Sequence, residues 1–145
     1  MTYRQSIQTL LRRHSVNTAT AMVAVFVLCA CGGMSQGERF RRDCEEYTDR
    51  YCPQRKDRCQ VLDSITYDVT EETMHTWYSL GGELDSAHIY TSDMRERVRE
   101  SLVGNLRNNI SMKKYKDAGI TFTYHYASER TANEYFALTL TREDY

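Results

Sequence analysis

The chain has 145 residues, 41% of them hydrophobic and 27% charged, which is enough for one domain with a modest core. Its 19 basic and 20 acidic residues nearly cancel, but the first 30 residues hold Arg4, Arg12 and Arg13 and no acid. Residues 31–145 therefore carry 16 basic and 20 acidic side chains, a net charge of −4. A mildly acidic body without a basic patch argues against nucleic acid as a partner.

From Arg4 to His14 the chain is a polar, basic leader, followed by TATAMVAVFVLCA from Thr18 to Ala30. That apolar run is short of the roughly 20 residues a membrane-spanning helix needs, and it reads as an export signal. It ends in LCAC, Leu28 to Cys31, followed by Gly32 and Gly33. The pattern resembles the bacterial lipobox, with Leu28 at −3, the small Cys29 at −2 and Ala30 at −1. The resemblance implies that Cys31 is the acylated, palmitate-bearing first residue of a mature lipoprotein, anchored in the bilayer by several acyl chains. Gly32 is not the acidic residue associated with inner-membrane retention, so the resemblance favours the outer membrane of a bacterial cell envelope.

The expected organisation is a signal peptide over 1–30, a flexible tether over 31–38, a short helix with a cysteine-containing segment over 39–60, and an α+β domain over 61–145. The tether reads GGMSQGE and has no core-forming pattern. Beyond it, Phe40, Cys44, Tyr47 and Tyr51 follow helical spacing, and Pro53 should stop the helix at or before Cys52.

With Cys29 removed and Cys31 lipidated, Cys44, Cys52 and Cys59 remain in a compartment where disulfides persist. A helix would hold Cys44 and Cys52 about 12 Å apart along its axis, too far for a bridge. That leaves Cys44 with Cys59 or Cys52 with Cys59, and the candidate disulfide is Cys52–Cys59 because Pro53 opens a loop able to fold back. The cysteine spacing lacks the close ligand pairs of structural zinc sites and any C-x-x-C, so neither a metal centre nor a redox role is expected.

The α+β part begins with VLDSITYDV, where Val61, Ile65, Tyr67 and Val69 share a face interrupted by Asp63. TMHTWYSL follows, with Met74, Tyr78 and Leu80 opposite His75, Trp77 and Ser79, and the short connection makes the two strands an antiparallel hairpin. Next comes the longest periodic signal in the chain, Met94, Val98, Leu102, Leu106 and Ile110, an apolar residue every fourth position along one helix. Asp93 is its expected N-cap, with Thr91 and Ser92 as alternatives. Gly104 within it suggests close contact with the sheet. Asn108 and Asn109 mark a kink or stop, after which a short helix should end at Gly119. Two clear strands close the chain: ITFTYHYA, with Ile120, Phe122, Tyr124 and Tyr126 on one face, and EYFALTLT, with Phe136, Leu138 and Leu140 on one face. The expected fold is α+β in the order β-β-α-β-β, a four-stranded, mainly antiparallel sheet packed on one long helix and preceded by a short N-terminal helix. The far face is expected to be either solvated or covered by the helix containing Phe40.

Chemistry is sparse. His75 and His125 are not accompanied by a metalloprotease motif, a phosphate-binding loop or a nucleophile elbow, so no catalytic residue, cofactor or metal is expected and the chain does not read as an enzyme. If the two hairpins share a sheet in the right register, His75, Trp77, Thr121, Thr123 and His125 form a candidate binding surface. The segments YCP at 51–53, VLDSITYD at 61–68, KDAGITFTYHY at 116–126 and the terminal TREDY resemble small exported lipoproteins of Bacteroides-like bacteria. That resemblance brings no catalytic residue with it. The expected function is a membrane-anchored, non-catalytic binding or structural module, meeting the bilayer through Cys31 and an envelope protein or polymer through its folded part. The alternative is an inhibitor or immunity-like protein acting on a secreted enzyme.

Overall fold

In the computed structural model the described residues are 33–145; the expected export signal and the expected lipidation site, Cys31, lie outside them. Ser35–Tyr145 forms one compact unit. It contains helices α1 (Gln36–Tyr51), α2 (Ser92–Asn108) and α3 (Lys113–Ala118), and strands β1 (Gln54–Arg55), β2 (Gln60–Asp68), β3 (Thr73–Leu80), β4 (Thr121–Ser128) and β5 (Glu134–Leu140).

The strands build one five-stranded sheet in sequence order, which corrects the expected four-stranded sheet on a single helix. After Pro53 the chain folds back and pairs Gln54 with Leu62 and Arg55 with Val61, adding β1 to the edge. The two larger hairpins, β2–β3 and β4–β5, meet through β3 and β4, which run parallel from Thr73↔Thr121 to Leu80↔Ser128. A parallel neighbour requires a long crossover, and residues 81–120, carrying α2 and α3, supply it.

All three helices lie on one face. Phe40 and Cys44 of α1, Leu106 of α2 and Tyr115 of α3 share a core with Tyr67, Met74, Phe122 and Leu140 of the sheet. A second cluster joins Leu80, Tyr90, Tyr126 and Phe136. The α1 helix therefore does not cover the far face, and no described element does. It instead finishes the β2 edge: Thr48 Oγ1 accepts from the Ile65 N–H at 2.9 Å and donates to the Ile65 carbonyl at 2.8 Å. Both backbone groups would otherwise stay unpaired beyond the end of β1.

A bulge between Leu62 and Ser64 explains why Asp63 interrupts an apolar face. One extra residue changes the strand's phase. Leu62 is buried with Tyr67, while Asp63 emerges on the far side and accepts from Ser79 Oγ at 2.6 Å.

Thr91, rather than Asp93, caps α2, its Oγ1 accepting from the Met94 N–H at 3.3 Å. The helix stops at Asn108, and Ile110, the last member of the apolar stripe, is 86% exposed in the following turn. Lys116 Nζ reaches back to the Leu106 and Arg107 carbonyls at 2.8 Å each, where the end of α2 leaves acceptors unpaired. Lys113 and Lys114 pair with Asp117 and Asp43, so the lysine cluster has structural partners. Gly119 follows α3 with φ +72°, a left-handed C′ conformation that glycine adopts without strain. Gly104 has no comparable role: a Cβ there would meet nothing within 4 Å, so crowding does not account for it.

The expected Cys52–Cys59 disulfide is not formed; Cys44, Cys52 and Cys59 are all free thiols. The β1–β2 register supplies the reason. Cys52 precedes β1 at the end of α1, whereas Cys59 sits in the turn at the opposite end of the two-stranded ribbon, roughly 15 Å away at about 3.3 Å per residue. Burial, followed by the Asp43 carboxylate, pushes the Cys44 thiol up to about 12 and keeps it protonated.

Candidate functional site

Two surfaces carry groups that the fold does not fully use. The first is the uncovered face of the sheet. Alternation along β3 and β4 aims Thr73, His75 and Trp77, and likewise Thr121, Thr123 and His125, away from the helices. The parallel register sets Thr73 beside Thr121, His75 beside Thr123 and Trp77 beside His125. The structure thus brings together all five residues singled out by sequence.

Their contacts are specific. The Trp77 and His125 rings stack with centroids 3.8 Å apart and planes 9° from parallel. His75 Nδ1 lies 3.0 Å from His125 Nε2, and His125 Nδ1 lies 2.8 Å from Glu134 Oε2. Because the Glu134 carboxylate can only accept, neutral His125 carries its proton on Nδ1 and turns an unprotonated Nε2 towards His75. Thr66 Oγ1 receives the Trp77 indole N–H at 3.3 Å, and the Thr123 and Thr139 hydroxyls meet at 3.1 Å. Trp77 remains 38% exposed. Glu134 and Thr66 lie outside the sequence-derived set; strand alternation could have suggested Thr66, but only the β4–β5 pairing reveals Glu134.

Burial, then the neighbouring His125, lowers the pKa of His75. The unfolded chain consequently binds more protons at this position between the lowered value and the ordinary histidine value of about 6.5. The stability held by neutral His75 is full above the ordinary value and falls as pH drops through this window. An NMR titration should find His75 titrating below an unperturbed histidine, and His75→Gln should flatten the corresponding part of the stability–pH curve. A His75 midpoint at or above the ordinary value would contradict this assignment.

The second surface is a groove on the helical side, between α1 and α2. Sequence reasoning missed it because its residues come from distant segments. One hollow of about 510 Å³ lies between Tyr78, Tyr126 and Phe136 on the sheet and Met94, Val98 and Leu102 on α2. A second of about 260 Å³ is reached past Tyr78, Leu102 and Asn105, and a third of about 450 Å³ continues past Tyr47, Ile65, Met74 and Met112 towards Tyr115. Shared lining residues connect the three.

Tyrosines dominate the floor. Tyr78 and Tyr126 stack at 5.3 Å, and Tyr126 stacks on Phe136 at 4.7 Å. Burial, then the adjacent Tyr78, pushes the Tyr124 phenol up to about 12, and burial also raises Tyr78 and Tyr126. All three remain neutral. Their hydroxyls bond no other described residue, and no buried side-chain N or O among the described residues lacks a partner. An apolar floor with a few polar handles suits a partner's side chains better than bulk water. Lys56, Arg97 and Asp43 stand along its lining.

Among the described residues no group of three or more His, Cys, Asp or Glu side chains converges on a metal position, and no helix is long and apolar enough to cross a membrane.

Comparison with solved structures finds a similar fold in a bacterial protein described as secreted and in a bacterial secretion-system pilotin. A Pseudomonas aeruginosa protein described as secreted superposes with a TM-score of 0.61 at 14% identity, over 77% of this chain and 98% of that one. The type 2 secretion pilotin EpsS of Vibrio vulnificus gives 0.55 at 6% identity, over 74% and 89%. The type II secretion pilotin AspS of Vibrio cholerae gives 0.46 at 15% identity, over 74% and 96%. At these identities the likeness is one of fold, and it does not single out lipoproteins of Bacteroides-like bacteria. No curated protein matches the sequence. A family model does match residues 35–136, and the chain accordingly belongs to the family described as a domain of unknown function, DUF8479.

Proposed function

We propose that this protein is a lipid-anchored, non-catalytic docking module of the bacterial cell envelope, whose α1–α2 groove receives an amphipathic helix of an envelope protein. The observation that carries this reading is the groove itself. Two helices stand apart on the sheet, and between them tyrosine rings line an apolar floor that carries phenol hydroxyls. A partner helix laid in the gap would bury its apolar face against Tyr78, Tyr124 and Leu102 while Asn105 and Lys56 meet its polar flank. The fold shared with the Vibrio vulnificus pilotin supports a role beside an envelope secretion assembly.

In this reading Cys31 bears the lipid and places the groove next to a membrane, with the outer membrane favoured. The uncovered face, with Trp77 at its centre, is a second contact surface, for an envelope protein or polymer.

Substituting Cys31→Ser separates anchoring from docking. The variant should lose lipid labelling and leave the membrane fraction while its folded part still co-purifies with the partner. Persistent lipid labelling and membrane retention would overturn the anchor; release of the variant without the partner would overturn the independence of the groove from the lipid.

A further inference from the structure

The uncovered face holds an arrangement that the docking reading does not require. Glu134, His125 and His75 form a chain of contacts, 2.8 Å from carboxylate to His125 Nδ1 and 3.0 Å from His125 Nε2 to His75 Nδ1. Metal-binding histidines commonly donate one ring N–H to a carboxylate, which fixes the tautomer and makes the other nitrogen more basic. His125 is held in that manner: Glu134 accepts the hydrogen bond from Nδ1–H, Trp77 stacks on the ring, and the Nε2 lone pair faces a second imidazole.

We propose that His75 Nδ1 and His125 Nε2 form a two-histidine site for a divalent transition-metal ion of the imidazole-preferring kind, Ni²⁺, Cu²⁺ or Zn²⁺. Two nitrogens bound at about 2.05 Å to one metal lie about 2.9 Å apart in adjacent square-planar or octahedral positions and about 3.3 Å apart in tetrahedral ones. The observed 3.0 Å separation falls between these. With His125 held by Glu134 and Trp77, a turn of the His75 ring that aims Nδ1 at an ion on the His125 Nε2 lone pair replaces their mutual hydrogen bond with two metal–nitrogen bonds. The proton balance is simple: the His75 proton moves from Nδ1 to Nε2 through solvent, both rings stay neutral, and no co-reactant is consumed. His75 Nε2 has no protein partner among the described residues and can carry that proton. Only two protein ligands converge, so water fills the remaining positions and the site is an exchangeable surface site rather than a closed structural centre.

Trp77, the chain's one tryptophan, stacks on His125 and is a built-in reporter. The experiment titrates the full chain, in detergent, with Ni²⁺ while following Trp77 fluorescence, and with Zn²⁺ by calorimetry. Saturable quenching at one ion per chain is expected, with binding lost as pH falls and protons compete for the rings. His75→Gln and His125→Gln should each weaken binding by at least tenfold. Glu134→Gln, which touches no metal, should weaken it about 10–100-fold through loss of orientation. Cys52→Ser and Cys59→Ser should leave it unchanged, and denaturation midpoints verify that each variant is folded. Non-saturable quenching overturns the proposal, as does binding that survives both histidine substitutions or disappears with the cysteine substitutions.

Discussion

Replacing Phe122 with alanine is expected to lower unfolding free energy by about 4 kcal/mol, measured by chemical denaturation. Phe122 is 2% exposed on the helix-facing side of β4, pairs in register with Met74 and Leu140, and meets the Tyr145 ring edge-on at 5.3 Å. Removing its ring leaves a cavity bounded by β3, β5 and the C-terminal turn, three elements held by their own contacts and unable to collapse inward. Tyr145 is fixed by its hydroxyl donating to the Ile120 carbonyl, and the turn before it is fixed by Arg99 pairing with Asp144 at 2.7 Å. Since domains of this size are stable by about 5–15 kcal/mol, the loss should bring the protein close to unfolding. Thr123→Ala, one position along and on the opposite face, removes only a hydroxyl pair and should cost about 1 kcal/mol. Equal losses at the two positions would contradict the assignment of the core to one face.

Asn105→Trp is expected to abolish partner docking while leaving the fold intact. Asn105 is exposed, lies in the interior of α2, and lines two of the three hollows. Tryptophan is tolerated in a helix at a propensity cost of a few tenths of a kcal/mol. Its indole would occupy the volume that the partner's apolar side chains need. Filling the centre of such an interface should weaken binding by about 100-fold, the scale of losing one central anchor. Co-purification of the partner with the lipidated protein should fall accordingly, with an unchanged denaturation midpoint. Undiminished co-purification would show that the partner docks elsewhere.

Sequence reading succeeded where periodicity is uninterrupted and failed where non-local contacts decide. Phe122, Tyr124 and Tyr126 alternate cleanly with Thr121, Thr123 and His125, and the structure keeps that division between faces. The stripe from Met94 to Leu106 lies on α2 as its spacing indicates, although Ile110 falls beyond the helix end. The Leu62/Ser64 bulge shifts the phase within β2, so strict alternation assigns Val61 rather than Leu62 to the core. β1 comprises two residues, too few to show a period, yet its register holds Cys52 and Cys59 apart. The parallel junction of β3 and β4 depends on where the crossover lands, which neither hairpin encodes locally. For the candidate surfaces, β-strand alternation sets His75 and Trp77 on one face of β3 and His125 on one face of β4, but their meeting depends on the β3–β4 register. The groove was invisible because Tyr47, Tyr78, Asn105 and Tyr124 meet only after the helices settle on the sheet.

The central claim is that the partner binds between α1 and α2, and in-cell photo-crosslinking tests it most directly. A photoreactive residue is placed at Asn105 in the groove and, in a separate variant, at Thr139 on the uncovered face. The docking account predicts one defined envelope protein joined to position 105, through residues of an amphipathic helix, and no adduct with that same protein from position 139. An adduct with that protein from position 139 and none from position 105 would contradict it.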